Sequence, residues 1–308
     1  MSGKSPPRHI HEPLGIIIKK IKQMSLFDFF KKKDKKSDKK ESVPPQTQSD
    51  KSIEIISIDN GSHGDNFGGL IGFGFLNSEN GGKLINEYMA FSSIQKPILT
   101  QEGLGIHQAI FQEEKGMNKR LGIRTLKSGE NILSAYPYLQ TNYTVPFTTK
   151  QIFEWSHIGN LEAEIKGGGR DTLGFGFFAT DYAINKDKYK SNKKLNIKVS
   201  AIGLVLDKSD VTEIGGQKVS EDFASYMPNQ DIPRPTYYDF IGVLIDFKPV
   251  NITDENGGYI AKVKLINDES NPDFFTVDMF INKENMRIEN LGKGMKITGA
   301  FWFQGEIA

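Results

Sequence analysis

The chain reads as a mostly β protein: antiparallel sheets, a small barrel towards the C-terminus, and a basic tail in front. Three observations predict this. Period-two alternation of apolar and polar residues recurs in three successive runs, Tyr259–Ile266, Phe274–Ile281 and Met295–Phe303. Glycine (31 residues) and phenylalanine (21) are abundant, as turns and pleated surfaces require. The composition also changes near residue 50, where a lysine-rich stretch gives way to alternating apolar runs.

At 308 residues the chain is long enough for two domains or one large one. The organisation expected is a tail over 1–50, a β-rich region over 51–150 and a second one over 151–308. Residues 1–40 carry 12 Lys or Arg against 4 Asp or Glu, a net of +8. The whole chain is +1, so residues 41–308 carry −7. A mildly acidic body is poorly suited to a non-specific grip on phosphates. With no cysteine, disulfides, thiolate metal sites and a cysteine nucleophile are excluded. The longest early apolar run, Leu14–Ile18, is too short for a signal-peptide core or a membrane span. A cytoplasmic protein without a cofactor is the expectation.

In the tail, Ser25 with Asp28 three residues on resembles a capping box. Leu26, Phe27, Phe29 and Phe30 share one helical face, and lysines follow where the helix dipole favours them. Residues 31–50 have a disordered linker's composition. The short helix reads as a leader docked on the body or as a weak anchor to an anionic membrane surface. It also resembles a known peptide class. Gln23-Met24-Ser25-Leu26-Phe27-Asp28-Phe29-Phe30 is similar to the Q-x-x-L-x-x-F-F pattern of sliding-clamp-binding (PIP-box) peptides, and Gln23–Phe27 resembles the shorter bacterial pentapeptide. The resemblance implies that Leu26, Phe29 and Phe30 plug an apolar pocket of a clamp while Gln23 takes a polar site. Met24 reads equally as a natural start, which would remove Gln23.

In the first body region, Ser52–Asp59 alternates as a strand, residues 60–66 form a turn-rich loop, and Gly69–Leu76 reads as the returning strand of a hairpin. Tyr88–Ile94, Ile106–Phe111, Leu121–Leu126 and Ile132–Leu139 are further short apolar runs. No amphipathic helix longer than about three turns stands out. His63 and Asp65 are the nearest approach to a catalytic or metal pair, but local sequence offers two ligands where a metal needs three or four. His107, upstream of Glu113 and Glu114, is similarly isolated. Both read first as turn-supporting polar residues.

Thr149–Gly159 reads as a short helical or irregular link, and Leu161–Ile165 as a half-exposed strand or a short helix. Lys166-Gly167-Gly168-Gly169-Arg170 then leads into a strand over Thr172–Tyr182. Three glycines between two cations suggest a backbone nest for an anion; a plain hairpin turn with an Arg170–Asp171 ion pair is the simpler account. Gly-Phe-Gly-Phe occurs at 72–75 and 174–177, which hints at a duplicated hairpin. Leu195–Leu206 is a strong strand, solvated at first and apolar on both faces later.

Beyond it, Ser220–Tyr226 reads as a short helix, Met227–Pro235 as an extended connector, and Ile241–Phe247 as the first of four closely spaced strands. Gly257-Gly258 and Asn271-Pro272-Asp273 are read as the turns between them. With Leu195–Leu206 as the fifth strand, the order over roughly 195–307 resembles an OB-fold. That resemblance implies a binding face on the second and third strands, with Lys262, Lys264, Phe274, Thr276 and Phe280 as its residues. Separately, the aromatics on both faces of Phe301–Phe303 imply a closing strand buried on both sides or a Trp302 contact with the N-terminal region or a partner. Aromatics interleaved with lysines stack bases in such folds, though they also cover neighbouring sheets. The expected function is a non-enzymatic binding or interaction protein with an unknown protein partner. The alternatives are a clamp-recruited single-strand nucleic-acid-binding protein and an enzyme at the glycine-rich loops.

Overall fold

The structure, a computed structural model, describes residues 52–59, 61–111, 120–168, 174–214, 216–267 and 274–308. The tail peptide Gln23–Phe30, Glu113, Glu114, Gly169, Arg170 and the 271–273 turn lie outside them. Strands dominate. The chain begins with β1 (Glu54–Ile58), followed by α1 (Gly64–Ile71), α2 (Phe73–Leu76) and α3 (Glu79–Ile94). A four-stranded antiparallel sheet of β2 (Leu99–Gln101), β3 (Leu104–Ile110), β4 (Leu121–Ser128) and β5 (Asn131–Leu139) comes next. β6 (Thr144–Trp155), β7 (Ala163–Gly168), β8 (Gly174–Ala179), α4 (Tyr182–Tyr189) and β9 (Leu195–Lys208) follow. β10 (Glu213–Ile214) and β11 (Gln217–Lys218) form a hairpin of their own. The rest is β12 (Ser225–Pro228), β13 (Tyr237–Asn251), β14 (Gly257–Lys264), β15 (Thr276–Asn282) and β16 (Lys296–Ile307).

Ten of these strands make one mixed sheet that closes on itself twice. One ring runs β13-β14-β15-β9-β16 and back to β13, with only the β15–β9 pair parallel. β9 thus lies between β15 and β16. The first half of β13 pairs with β16 and the second with β14, and a bulge between Leu244 and Asp246 lets the strand turn the corner. The second ring runs β6-β7-β8-β16-β9 and back to β6, so β9 and β16 belong to both. One continuous core fills the rings, with Phe147, Ile165, Phe177, Val263, Met279, Ile297, Phe301 and Phe303 at its centre. The apolar faces of the three alternating runs lie in it, with Ala261 and Val263 from β14, Val277, Met279 and Ile281 from β15, and Ile297, Phe301 and Phe303 from β16.

A second core lies outside the rings, where Leu70, Ile71, Phe111, Leu121 and Trp155 meet Phe178, Ile202, Phe280 and Trp302. β16 therefore sends Phe301 and Phe303 one way and Trp302 the other. The last four carbonyls of a helix have no partner within it. In α1 they are those of Gly68, Gly69, Leu70 and Ile71, and the amides of Asn285, Asn282 and Asn256 donate to all four. Buried Arg124 ties the four-stranded sheet down, donating to Glu306 at 2.6 Å and to Thr180 at 3.0 Å over the ring of Tyr138.

Several expectations are corrected. Gly69–Leu76 is helical on either side of Gly72, and β1 pairs in parallel with β6 instead of closing a hairpin. Packing overrides the poor helix propensity of glycine there, since a side chain on Gly69 would meet Ile202. The two Gly-Phe-Gly-Phe words are accordingly helix in one case and strand in the other. α3 spans 16 residues, capped by Ser78 Oγ accepting from the Gly81 amide at 3.1 Å. Thr149–Trp155 is strand, Ser220–Tyr226 holds no helix, and β8 ends at Ala179. Gly257 and Gly258 lie inside β14, where a side chain would strike the neighbouring strands. The 150/151 boundary falls within β6, and the described residues of 52–210 and 221–308 belong to one compact unit. No helix of the described residues is long and apolar enough to cross a membrane.

Candidate functional site

His63 occupies the N-cap position of α1 but caps nothing with its side chain, which turns inward to 8% exposure. Its Nε2 lies 3.1 Å from Glu162 Oε2 and its Nδ1 3.1 Å from Asn66 Nδ2. Asn66 Oδ1 accepts from the Tyr237 hydroxyl at 2.8 Å. With the amide in that orientation Asn66 donates to Nδ1, which leaves the Nε2 proton for Glu162. The rings of Phe178, Trp155, Tyr136 and Trp302 surround the imidazole at 4.7, 4.8, 5.4 and 6.1 Å. Both ring nitrogens are engaged within an aromatic shell. His63 is therefore no turn-supporting surface residue, and the arrangement leaves it no free nitrogen for a substrate proton.

Glu164, two residues along an extended chain from Glu162, emerges on the same side about 6–7 Å away. It is fully buried, pairs with the Arg234 guanidinium and accepts from Thr236 Oγ1 at 3.0 Å. Burial raises its carboxyl above the usual range, while Arg234 and Thr236 pull it back. The guanidinium carbon stands 4.8 Å over Trp155 and 5.6 Å over Tyr237, and Nη1 reaches the Ser62 carbonyl at 3.4 Å. Burial holds the Tyr136 and Tyr237 phenols in the protonated form. Four buried polar atoms of this knot have no hydrogen-bond partner in the protein: Trp155 Nε1, Glu162 Oε1, Glu164 Oε2 and Arg234 Nε. Two acceptors and two donors of this knot thus have pairing capacity that the surrounding protein leaves unused.

Sequence reasoning flagged His63 and missed the rest. The signal available was Leu-Glu-Ala-Glu-Ile, whose acidic face reads as solvated; in the structure it is buried. Asp65 is exposed and does not join His63 in a pair. Lys166, Gly167 and Gly168 lie extended in β7, with Gly168 opposite Gly174 across the β7–β8 hairpin. From Glu162 to Gly168 is about 20 Å of extended chain, so the two glycine-rich regions stand at opposite ends of β7. His107 Nδ1 donates to the Gln95 carbonyl at 2.7 Å beside an open cleft of about 550 Å³. Among the described residues no group of three or more His, Cys, Asp or Glu is placed to hold a metal.

The barrel-face residues do not form a free face. Phe280 and Trp302 are buried beneath α1 and its neighbours, so neither can stack on a base. Phe274 and Thr276 are half-buried, Lys264 lies 3.9 Å from Asp222, and Lys262 is exposed. Asp278 between them is held by Arg120 and, at 2.7 Å, by Thr141. Comparison with known proteins gives no match to a family model, a curated protein or a solved structure.

Proposed function

We propose that this chain is a non-enzymatic, cytoplasmic interaction protein whose body includes an OB-like barrel in permuted order. An OB-fold runs 1-2-3-5-4 around its barrel with only the 3–5 pair parallel. The ring β13-β14-β15-β9-β16 supports this reading if β9, first in the chain, stands in the place of strand 5. The outer side of strands 2 and 3, the usual seat of an oligonucleotide or oligosaccharide, is here occupied by α1 and by the Arg120–Asp278 contact.

A protein partner is the better fit, and one observation carries it. Of the seven exposed large apolar residues among those described, five belong to the segment 79–139: Phe91, Ile94, Ile98, Ile132 and Leu133. Phe91 and Ile94 stand about one turn apart on α3, and Ile94 is 77% exposed. Scattered exposed apolar residues are ordinary; Phe91 and Ile94 on one face of α3, followed by Ile98, are what supports a contact surface here. The test is affinity capture from the native host with wild type and a Phe91→Glu/Ile94→Glu variant as baits. A stoichiometric partner lost with the variant supports the proposal; equal capture by both baits overturns this surface. Titration with a labelled single-stranded oligonucleotide at low salt is expected to show no saturable binding. Tight, salt-sensitive binding would favour the clamp-recruited nucleic-acid reading instead.

A further inference from the structure

The connector 229–236, between β12 and β13, sends two side chains to Glu164: the hydroxyl of fully buried Thr236 and the guanidinium of part-exposed Arg234. Arg234, flanked by Pro233 and Pro235, places its guanidinium against the Glu164 carboxylate, between the faces of Trp155 and Tyr237 and near the Ser62 carbonyl. A buried carboxylate bordered by aromatic faces is what recognises a guanidinium or an organic ammonium. The seat is larger in chemical capacity than its occupant. Glu162 Oε1 and Glu164 Oε2 are buried with no donor, while Arg234 Nε and Trp155 Nε1 are buried with no acceptor. Charge tells the same story. Two buried carboxylates, with Asp65 at the rim attracted to Arg234, face one guanidinium and an imidazole already engaged with Glu162.

We propose that this seat is a binding site for a guanidinium-type cation and that Arg234 is its built-in, displaceable occupant. The guanidinium can come as a free small molecule or as the arginine of a partner. Thr236 anchors the end of the connector on Glu164, so only the Arg234 side chain needs to leave for the seat to open. This inference is independent of the α3 surface proposed above and survives the failure of that reading.

The test uses the full chain. Arg234→Ala empties the seat, and methylguanidinium at about ten times its Kd should raise the melting temperature of that variant by about 2–6 °C. Sodium chloride at equal ionic strength should not, nor should wild type respond in the same way. Adding Glu164→Gln should abolish the response. No response, or an equal one in wild type, overturns the site. If the alanine variant does not fold, Arg234→Lys, which keeps the charge but leaves the planar fork empty, is titrated instead under the same criterion. A second arm uses glycyl-arginine amide: a response to it admits a partner's arginine, and a response to methylguanidinium alone assigns a free small cation. Displacement is read in wild type, where the dipeptide should speed hydrogen exchange in 229–236 and leave β13 unchanged. An unchanged connector overturns the displaceable occupant.

Discussion

Asp239 on β13 shows how a single half-buried group sets a pH dependence. Burial raises its carboxyl to about 6, against the lowering effect of the Asn229 amide, which donates to it at 2.6 Å, and Asp231 adds to the rise. A carboxyl with a raised folded-state pKa binds its proton more tightly in the native protein than in the unfolded one. The stability it contributes is full below the unfolded value near 4 and is lost as pH climbs through about 6. Asp239→Asn keeps an oxygen for Asn229 and removes the titration. It should therefore be near neutral at about pH 4 and stabilising by about 1–2 kcal/mol at about pH 8, after allowance for partial solvent screening. Urea melts at the two pH values check this, and an equal effect at both would sink it. Such groups are hard to read from sequence. His63 was visible as a histidine in a glycine-rich loop, but Glu162 and Tyr237 stand 99 and 174 positions away, and nothing local records that the fold brings them together. The acidic alternation around Glu164 was visible too, and pointed the wrong way because acidic side chains are ordinarily solvated.

Elements were legible where one face of a strand meets one core. The apolar faces of β14, β15 and β16 alternate and lie in the ring core, while Phe280 and Trp302 on the opposite faces of β15 and β16 are buried in the second core. Helices were not. α1 contains three glycines, of which Gly69 lies against β9 and Gly68 against Phe73, and α3 has two more in its first turn, so its apolar stripe of Leu84, Ile85, Tyr88 and Met89 covers only its middle. Turn chemistry gives a direct test at this scale. Gln101 pairs with Leu104 across a two-residue loop in which Glu102 has φ 48° and Gly103 has φ 81°. Both central residues at positive φ make the turn type I′, which suits the twist of a hairpin and favours Asn-Gly. Glutamate is strained at the first position and its side chain is exposed. Glu102→Asn should stabilise the protein by roughly 0.5–1 kcal/mol with no change in the denaturant slope. A loss of stability would mean that Glu102 makes a contact that outweighs its backbone strain.

The molecule as a whole is organised by sharing. β9 and β16 each belong to both rings, and their mutual pairing runs from Ile297 with Lys208 to Ile307 with Ile197. An expected division near residue 150 cannot separate such a structure into independently stable halves, because β6, which crosses that point, itself pairs with β9. The sequence could not show this: period two reports which face is buried, not how many rings a strand joins. If the two rings stand or fall together, unfolding should be a single cooperative event even at this size, with calorimetric and van't Hoff enthalpies in agreement. Phe301 probes the point. It is fully buried on β16 and stacks against Tyr238, Phe240 and Phe303 in the core that fills the rings. Phe301→Ala should cost about 3–5 kcal/mol and move the whole transition to lower temperature without splitting it. Hydrogen exchange should slow most in β9 and β16 and quicken there together in the variant, since amides that open only with global unfolding all feel the same loss. If instead Phe301→Ala divides the melt in two, with β6–β8 surviving the loss of β13–β15, then the shared strands do not couple the rings and each ring is a domain of its own.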